Sequence, residues 1–430
     1  MKRTTYLLIF FLLTAVILPA QDEFFDFAEE PSSAEPALPE LHFSGEIGSG
    51  IRTYLDDGFD SSMEFKGSGR LEITAASEEA EAVLRLKADW INQAEENVAW
   101  QDLLDEVSVS YFFDSGFLEA GYTIVEWGKG DGMHAADPVN PLDQSAGFGS
   151  ESSAQKVPVA LLRTAFYTGS NSLLEFVYVP LFFPTRTADE GRWAVQELPE
   201  AVTVTDKRPE MSLANFQGGA RYTFSAGPAD LGLQYFSGYM HEPGFVYTAP
   251  TELTLEYTRY QLFAAETALA AGPFVFRGEA GYNLTEDTEG DDPSLYNFRI
   301  VYLGGFDLTV PDTELFLLAQ IAGDYTLETD GLTPVDVDIA TGYGAPSHQT
   351  TVVVSMEHPF FRQKMNIRIS GIYMLEAEGY YIAPELTFDL SDNLQLEVTG
   401  AFYEGEKKDA SLFYEWRKND YLEMGLRYSF

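Results

Sequence analysis

From Leu41 to Phe430 the chain is a succession of segments in which every second residue is apolar, and the connections between them alternate between long and tight. Neighbouring residues of a strand point to opposite faces, so each segment reads as a strand with one oily and one wet side. The expected strands are 41–54, 62–76, 80–90, 104–113, 117–127, 157–168, 172–183, 213–225, 229–240, 257–269, 274–284, 294–309, 313–325, 347–358, 363–376, 379–390, 393–404 and 421–430. The odd connections are generally long or charged, as in LDDGFDS, INQAEENVAWQDL and TEDTEGDD. The even ones, such as Ser77-Glu78-Glu79, Asp114-Ser115-Gly116 and Ala271-Gly272-Pro273, use turn-forming residues. A soluble sandwich has no reason to sort its loops in this way, whereas a membrane barrel has short turns at one rim and long loops at the other. The expected fold class is therefore all-β, a transmembrane antiparallel β-barrel of about 16–18 strands.

The solvent argument agrees. Past the N-terminus no stretch reaches the roughly 18 consecutive apolar residues of a spanning helix, and a closed barrel is the other way to satisfy every backbone group in lipid. In the second strand Glu64, Lys66, Ser68, Arg70 and Glu72 lie opposite Met63, Phe65, Leu71 and Ile73. A charge facing hydrocarbon at mid-depth costs roughly 2–4 kcal/mol. The charged rows are thus expected to face a watery lumen and the apolar rows to face lipid. Trp90, Trp127, Tyr239, Tyr282, Tyr373 and Tyr403 fall near expected strand ends, where an interfacial girdle would sit. One strand resists this assignment, because Arg259 and Glu266 cannot both follow one alternation.

Residues 1–20 put Lys2 and Arg3 ahead of an apolar run and a small Ala20, which reads as a secretory signal peptide. Residues 21–40, acidic and rich in Pro, Ser and Ala, read as a flexible periplasmic lead-in, and 41–430 as the barrel. The absence of Cys excludes disulfides, thiolate metal sites and Cys nucleophiles. A net charge of -42 argues against nucleic acid as a partner.

The terminal YLEMGLRYSF, with Tyr428 and the last residue Phe430, resembles the assembly signal of bacterial outer-membrane proteins, and the chain from Leu41 onward is similar to porin-type barrels. The segment EWGKGDGMHAADPVNPLD resembles one in porin-like proteins, where a strand ending in Trp-Gly leads into a loop carrying Asn-Pro-x-Asp. The resemblance implies outer-membrane lipid and the barrel-assembly machinery as partners, a homo-oligomer by analogy, and a third external loop folded into the lumen. On this reading Lys129, Asp131, Asp137, Asn140 and Asp143 form the constriction loop. They would face a lumen wall of Lys66, Arg70, Arg85, Lys87, Arg163, Arg221, Arg277, Glu279, Arg299, Arg368 and Glu397.

A plain external loop built from turn formers explains the same residues. A divalent-metal site using Asp131, Asp137, Asn140 and Asp143 is disfavoured, since their spacing does not match the helix-loop-helix calcium pattern, and no metal or cofactor is expected. His42, His134, His241, His348 and His358 are scattered without a nucleophile, base and orienter together, so catalysis is not expected. The sequence thus points to an outer-membrane channel for passive diffusion of small polar solutes or ions, with mild cation preference from its acidic loops. A substrate-specific transporter for hydrophobic compounds, or an adhesin or structural barrel, stays open beside it.

Overall fold

The computed structural model describes residues 39–55, 63–91, 103–148, 155–188, 191–194, 201–212, 214–249, 251–292, 294–328, 348–406 and 412–430. The expected signal peptide, and the lead-in except its last two residues, lie outside the described residues. In chain order the strands are β1 (Glu40–Tyr54), β2 (Met63–Ala76), β3 (Ala80–Ile91), β4 (Leu104–Phe113), β5 (Gly116–Thr123), β6 (Val159–Gly169) and β7 (Ser172–Val179). There follow β8 (Thr203–Asp206), β9 (Gln217–Ala226), β10 (Ala229–Tyr239), β11 (Gly244–Ala249), β12 (Glu252–Glu256), β13 (Arg259–Ala271) and β14 (Phe274–Thr285). The last are β15 (Arg299–Thr309), β16 (Phe316–Thr326), β17 (His348–Phe360), β18 (Met365–Met374), β19 (Gly379–Asp389), β20 (Leu394–Gly405) and β21 (Tyr421–Ser429), with a short helix α1 (Leu412–Glu415) before β21.

Eighteen of these strands form one antiparallel sheet that closes on itself. Each pairs with its neighbours along the chain, and β21 returns to β1 in register from Glu46↔Ser429 to Tyr54↔Tyr421. Phe430 adds a further rung, its N–H donating to the Gly45 carbonyl at 2.9 Å and its carbonyl accepting from Gly45 N–H at 3.0 Å. Every expected strand has a counterpart in the barrel, including the hairpin β18–β19 with its very short external connection, so the count is eighteen rather than sixteen.

Several strands are shorter than expected: β7 ends at Val179 rather than at 183, and β16 begins at Phe316 rather than at 313. β5 ends at Thr123 because the Asn140 side chain, not a neighbouring strand, takes up the Val125 N–H at 2.8 Å. The segments preceding Gln217 and Arg299 likewise belong to loops. A small sheet of β8, β11 and β12 was not anticipated: its strands are only four to six residues long and lie within connections rich in Pro, Gly and charge.

The two faces differ as expected. Leu233 is 59% exposed, Val354 49% and Met424 55%, all on the outside. The other face carries ion pairs that run from strand to strand. Around the closure seam Arg52 and Lys66 both reach Glu423, at 2.7 and 3.1 Å, and Arg427 joins Glu46, at 3.6 Å, to Glu397. Arg70 continues the row from Glu46 toward Asp89. Arg85 joins Glu72 to Glu106, and Lys87 reaches Asp105 at 2.6 Å. Cross-strand pairing of opposite charges favours this register, and it lets a polar interior stand beside an apolar exterior. No helix among the described residues is long and apolar enough to cross a membrane. The exposed apolar face of a closed barrel is the surface that lipid covers.

Part of the expected girdle needs correction. Trp90 and Tyr373 face outward, but Trp127 and Tyr403 are buried, at 0% and 2% exposure, in two apolar clusters inside the barrel. Tyr239 lies beneath Phe182, with ring centroids 5.9 Å apart. The conflict in β13 also resolves: Glu266 turns inward and is buried, while Arg259 sits at the strand's first residue and donates to the Ala214 carbonyl at 2.6 Å. A charge at the rim lies above the hydrocarbon and need not obey the alternation.

Candidate functional site

The connection between β5 and β6, the third external one, turns into the barrel and is fastened to the opposite wall. The Gly128 N–H donates to Glu266 Oε2 at 2.9 Å. The Glu279 carboxylate, with its side chain fully buried, accepts from the N–H groups of Lys129 and Gly130 on one oxygen and of Ala135 and Ala136 on the other, at 2.6–2.9 Å. Gln320 Oε1 accepts from Gly132 and Met133 at 3.0 and 3.2 Å, and Gln234 donates to the Ala136 carbonyl at 2.7 Å. The anchors come from β10, β13, β14 and β16, so the loop crosses the lumen.

This approach requires glycine. Gly128 has φ +97°, and a Cβ there would lie 2.5 Å from Glu279 Oε1; at Gly130 it would lie 1.8 Å from the Met133 carbonyl oxygen. Glycine at 128 thus lets the backbone close on the carboxylate, and glycine at 130 lets the loop fold back on itself beside it. Each accepted N–H is a charge-assisted bond, stronger than a neutral one.

The loop's own base is equally well tied. Asn140, 4% exposed, accepts from Val125 and donates to the carbonyls of Thr123 and Val157. Asp137 pairs with Lys156 and accepts from the Trp127 N–H at 3.1 Å. The Trp127 indole donates to Glu175 at 2.5 Å, and its ring meets Phe236 edge-on at 6.3 Å. Beside it Arg163 donates to Glu175 and Glu119, and Arg221 to Glu266 and to the Gly128 carbonyl. Arg277 reaches both Asp307, at 2.6 Å, and the Lys129 carbonyl, at 3.0 Å.

Of the five loop residues singled out from the sequence, Asp137 and Asn140 are therefore buried fastenings at the loop's base. Asp131, 3.9 Å from Arg277, and Asp143, 3.5 Å from Arg186, are more open, and Lys129 bonds Glu279 through its backbone. On the wall, Arg368 lies 3.1 Å from Glu357, and Arg299 packs over the Tyr296 ring at 4.5 Å. Sequence reasoning missed Glu266, Gln234 and Gln320 as anchors. It also missed the apolar interior: Trp127, Phe236, Tyr260 and Leu262 form a core under the loop, and Phe148, Trp193, Phe413 and Trp416 pack against Tyr381 and Tyr403 across the barrel.

His134 Nδ1 lies 3.4 Å from Glu279 Oε1. Burial opposes its protonation, but the Glu279 hydrogen bond and the nearby Asp137 and Glu279 charges outweigh that, and its pKa is raised above the ordinary 6.5. Burial likewise pushes Asp137 upward, against the pull of Lys156. A raised histidine contributes stability that is complete below the unfolded pKa and is lost as pH rises through the folded value. Loop attachment should therefore weaken with rising pH, starting above about 6.5. Proteolysis of the loop as a function of pH checks this, and His134→Gln should flatten the profile.

Between the loop and the wall lies a cavity of about 750 Å³, with Met133, Phe148, Val353, Ile372, Met374 and Tyr381 in its lining.

No protein-family model and no curated protein matches the chain. Solved structures do. OccAB3 of Acinetobacter baumannii aligns at TM-score 0.51 and 8% identity, over 91% of this chain and 99% of that one. OccK3 (OpdO) of Pseudomonas aeruginosa aligns at TM-score 0.51 and 10% identity, over 91% and 96%. OccK8 (OprE) of the same organism aligns at TM-score 0.50 and 8% identity, over 91% and 98%. The likeness is one of fold: this chain is a closed, porin-type barrel of eighteen strands.

Proposed function

We propose that the barrel is an outer-membrane channel through which small polar solutes and ions diffuse passively, and that its third external loop sets the width. The observation that carries this reading is the loop's fastening across the lumen to Glu266, Glu279 and Gln320. A loop serving only the outer surface would gain nothing from seven backbone N–H groups aimed at wall side chains; one that narrows a pore must be held rigidly. Lys66, Arg70, Arg85, Lys87, Arg163, Arg221, Arg277 and Arg427 balance wall carboxylates, which leaves the wall mixed in sign, and the net charge of -42 gives the mouth its field. Cations are concentrated there and anions repelled. The chain acts without catalytic residues.

Planar-bilayer recording tests this reading. Steady conductance steps in KCl are expected, and the reversal potential in a salt gradient should show mild cation preference that fades as salt rises, because the Debye length falls from about 10 Å at 0.1 M to about 3 Å at 1 M. Electrical silence would sink the channel reading and favour an adhesin or structural barrel; anion selectivity would sink only the sign.

A further inference from the structure

The lumen of a water-filled porin is polar, and most of this one is. The cavity beside the third loop is mixed, with an apolar side as well as a charged one. On the loop side Met133, Leu142 and Phe148 face it; on the wall Ile372 and Met374 of β18 and Tyr381 of β19 do. Ile372, Met374 and Tyr381 lie on inward positions of strands whose outward rows are also apolar, so the alternation of polar and apolar lapses here. Water alone gives no reason to place thioethers, a branched aliphatic chain and rings along its path, and each of them lowers the conductance of small ions by making the path harder to wet.

The charges around the same space are unbalanced. Its lining includes Asp131, Asp137, Glu242 and Glu357 against Lys156, Arg368 and the histidines His134 and His241, the second of which faces the Phe183 and Pro138 carbonyls. Lys156 is held by Asp137, and Arg368 faces Glu357 at 3.1 Å. His134 is turned to Glu279. Two acids are held less tightly than these. Asp131 is 3.9 Å from an Arg277 whose nearer partner, at 2.6 Å, is Asp307, and Glu242 accepts from the Thr185 hydroxyl at 2.9 Å. The volume, about 750 Å³, lies within the range that accommodates a small organic molecule.

We propose that this cavity is a transit site for small amphipathic cations, solutes with an apolar body and one ammonium or guanidinium head. The body takes the strip formed by Met133, Phe148, Ile372 and Met374, and the head is drawn by Asp131 or Glu242. The proposal rests on the channel reading and names the solute class for it. Because the strip is half-exposed and the acids are separate, the solute is attracted at successive points without being enclosed, as passage requires.

Three ions of near-equal mass supply the test with the full-length protein in planar bilayers: phenethylammonium, protonated Tris and benzoate. After KCl steps are recorded as a baseline, permeability ratios are read from reversal potentials at neutral pH. Phenethylammonium should exceed protonated Tris by about tenfold, and benzoate should lag both. Ile372→Asn on the wall, or Met133→Gln on the loop if the wall variant fails to assemble, should bring the ratio of the two cations toward unity. Equal permeability of the two cations in the native protein, or a lead for benzoate, overturns the solute class while leaving the channel standing. Absence of KCl steps overturns both.

Discussion

Glu279→Ala should give channels of larger and noisier conductance than the native protein, together with a loop that protease reaches from outside. The carboxylate accepts N–H groups at Lys129, Gly130, Ala135 and Ala136 and faces His134, so its removal leaves a nest of donors with no acceptor in the wall. The cost of breaking such a buried charged contact is about 3–5 kcal/mol if the site stays dry, and less to the extent that water enters. Either way the loop loses its strongest attachment between Glu266 and Gln320. Glu279→Gln should fall between, since an amide oxygen still accepts but its nitrogen meets donors. Unchanged conductance for the alanine variant would mean that the loop does not limit the flow.

An equally large effect is expected from one step along β17. Val354 is 49% exposed on the outer face near the middle of the strand, and Ser355 beside it faces inward, where its hydroxyl meets that of Ser370 at 3.0 Å. Val354→Arg should cost roughly 2–4 kcal/mol in folding into lipid, whereas Ser355→Arg should leave folding nearly intact and alter conductance instead. Heat-modifiable gel migration reads the first and single-channel recording the second. If the two variants behaved alike, the outer face would not be meeting hydrocarbon.

The barrel was legible because two independent signals agree along the chain. The period of two assigns strands, and turn chemistry at connections such as Ala271-Gly272-Pro273 separates one rim from the other. Even the pairing of lumen charges follows from alternation, as Arg85 with Glu72 illustrates. The site was less legible. Alternation says that the two faces of a strand differ; it says nothing about what later covers the inner one, so Trp127 and Tyr403 were expected at an interface and lie in cores. The partners of Glu279 are backbone groups more than 140 residues earlier in the chain, and backbone groups leave no trace in composition. The available hint was the glycine density of GKGDG, which signals close approach of a backbone to something, though not to what. The inward Phe236, Tyr260 and Leu262 follow the strand period, and only their position beneath a loop explains why they are apolar.

The loop's attachments also bear on the order of assembly. Residues 128–136 precede every one of their anchors in the chain: Gln234, Glu266, Glu279 and Gln320 belong to β10, β13, β14 and β16. Contacts of such wide sequence separation form late, since their loop-closure entropy must be met first. The ring itself closes between β1 and β21, which lie further apart still, so the loop waits for β16 rather than for closure, and a barrel that closed with the loop unseated would be a wide, leaky tube.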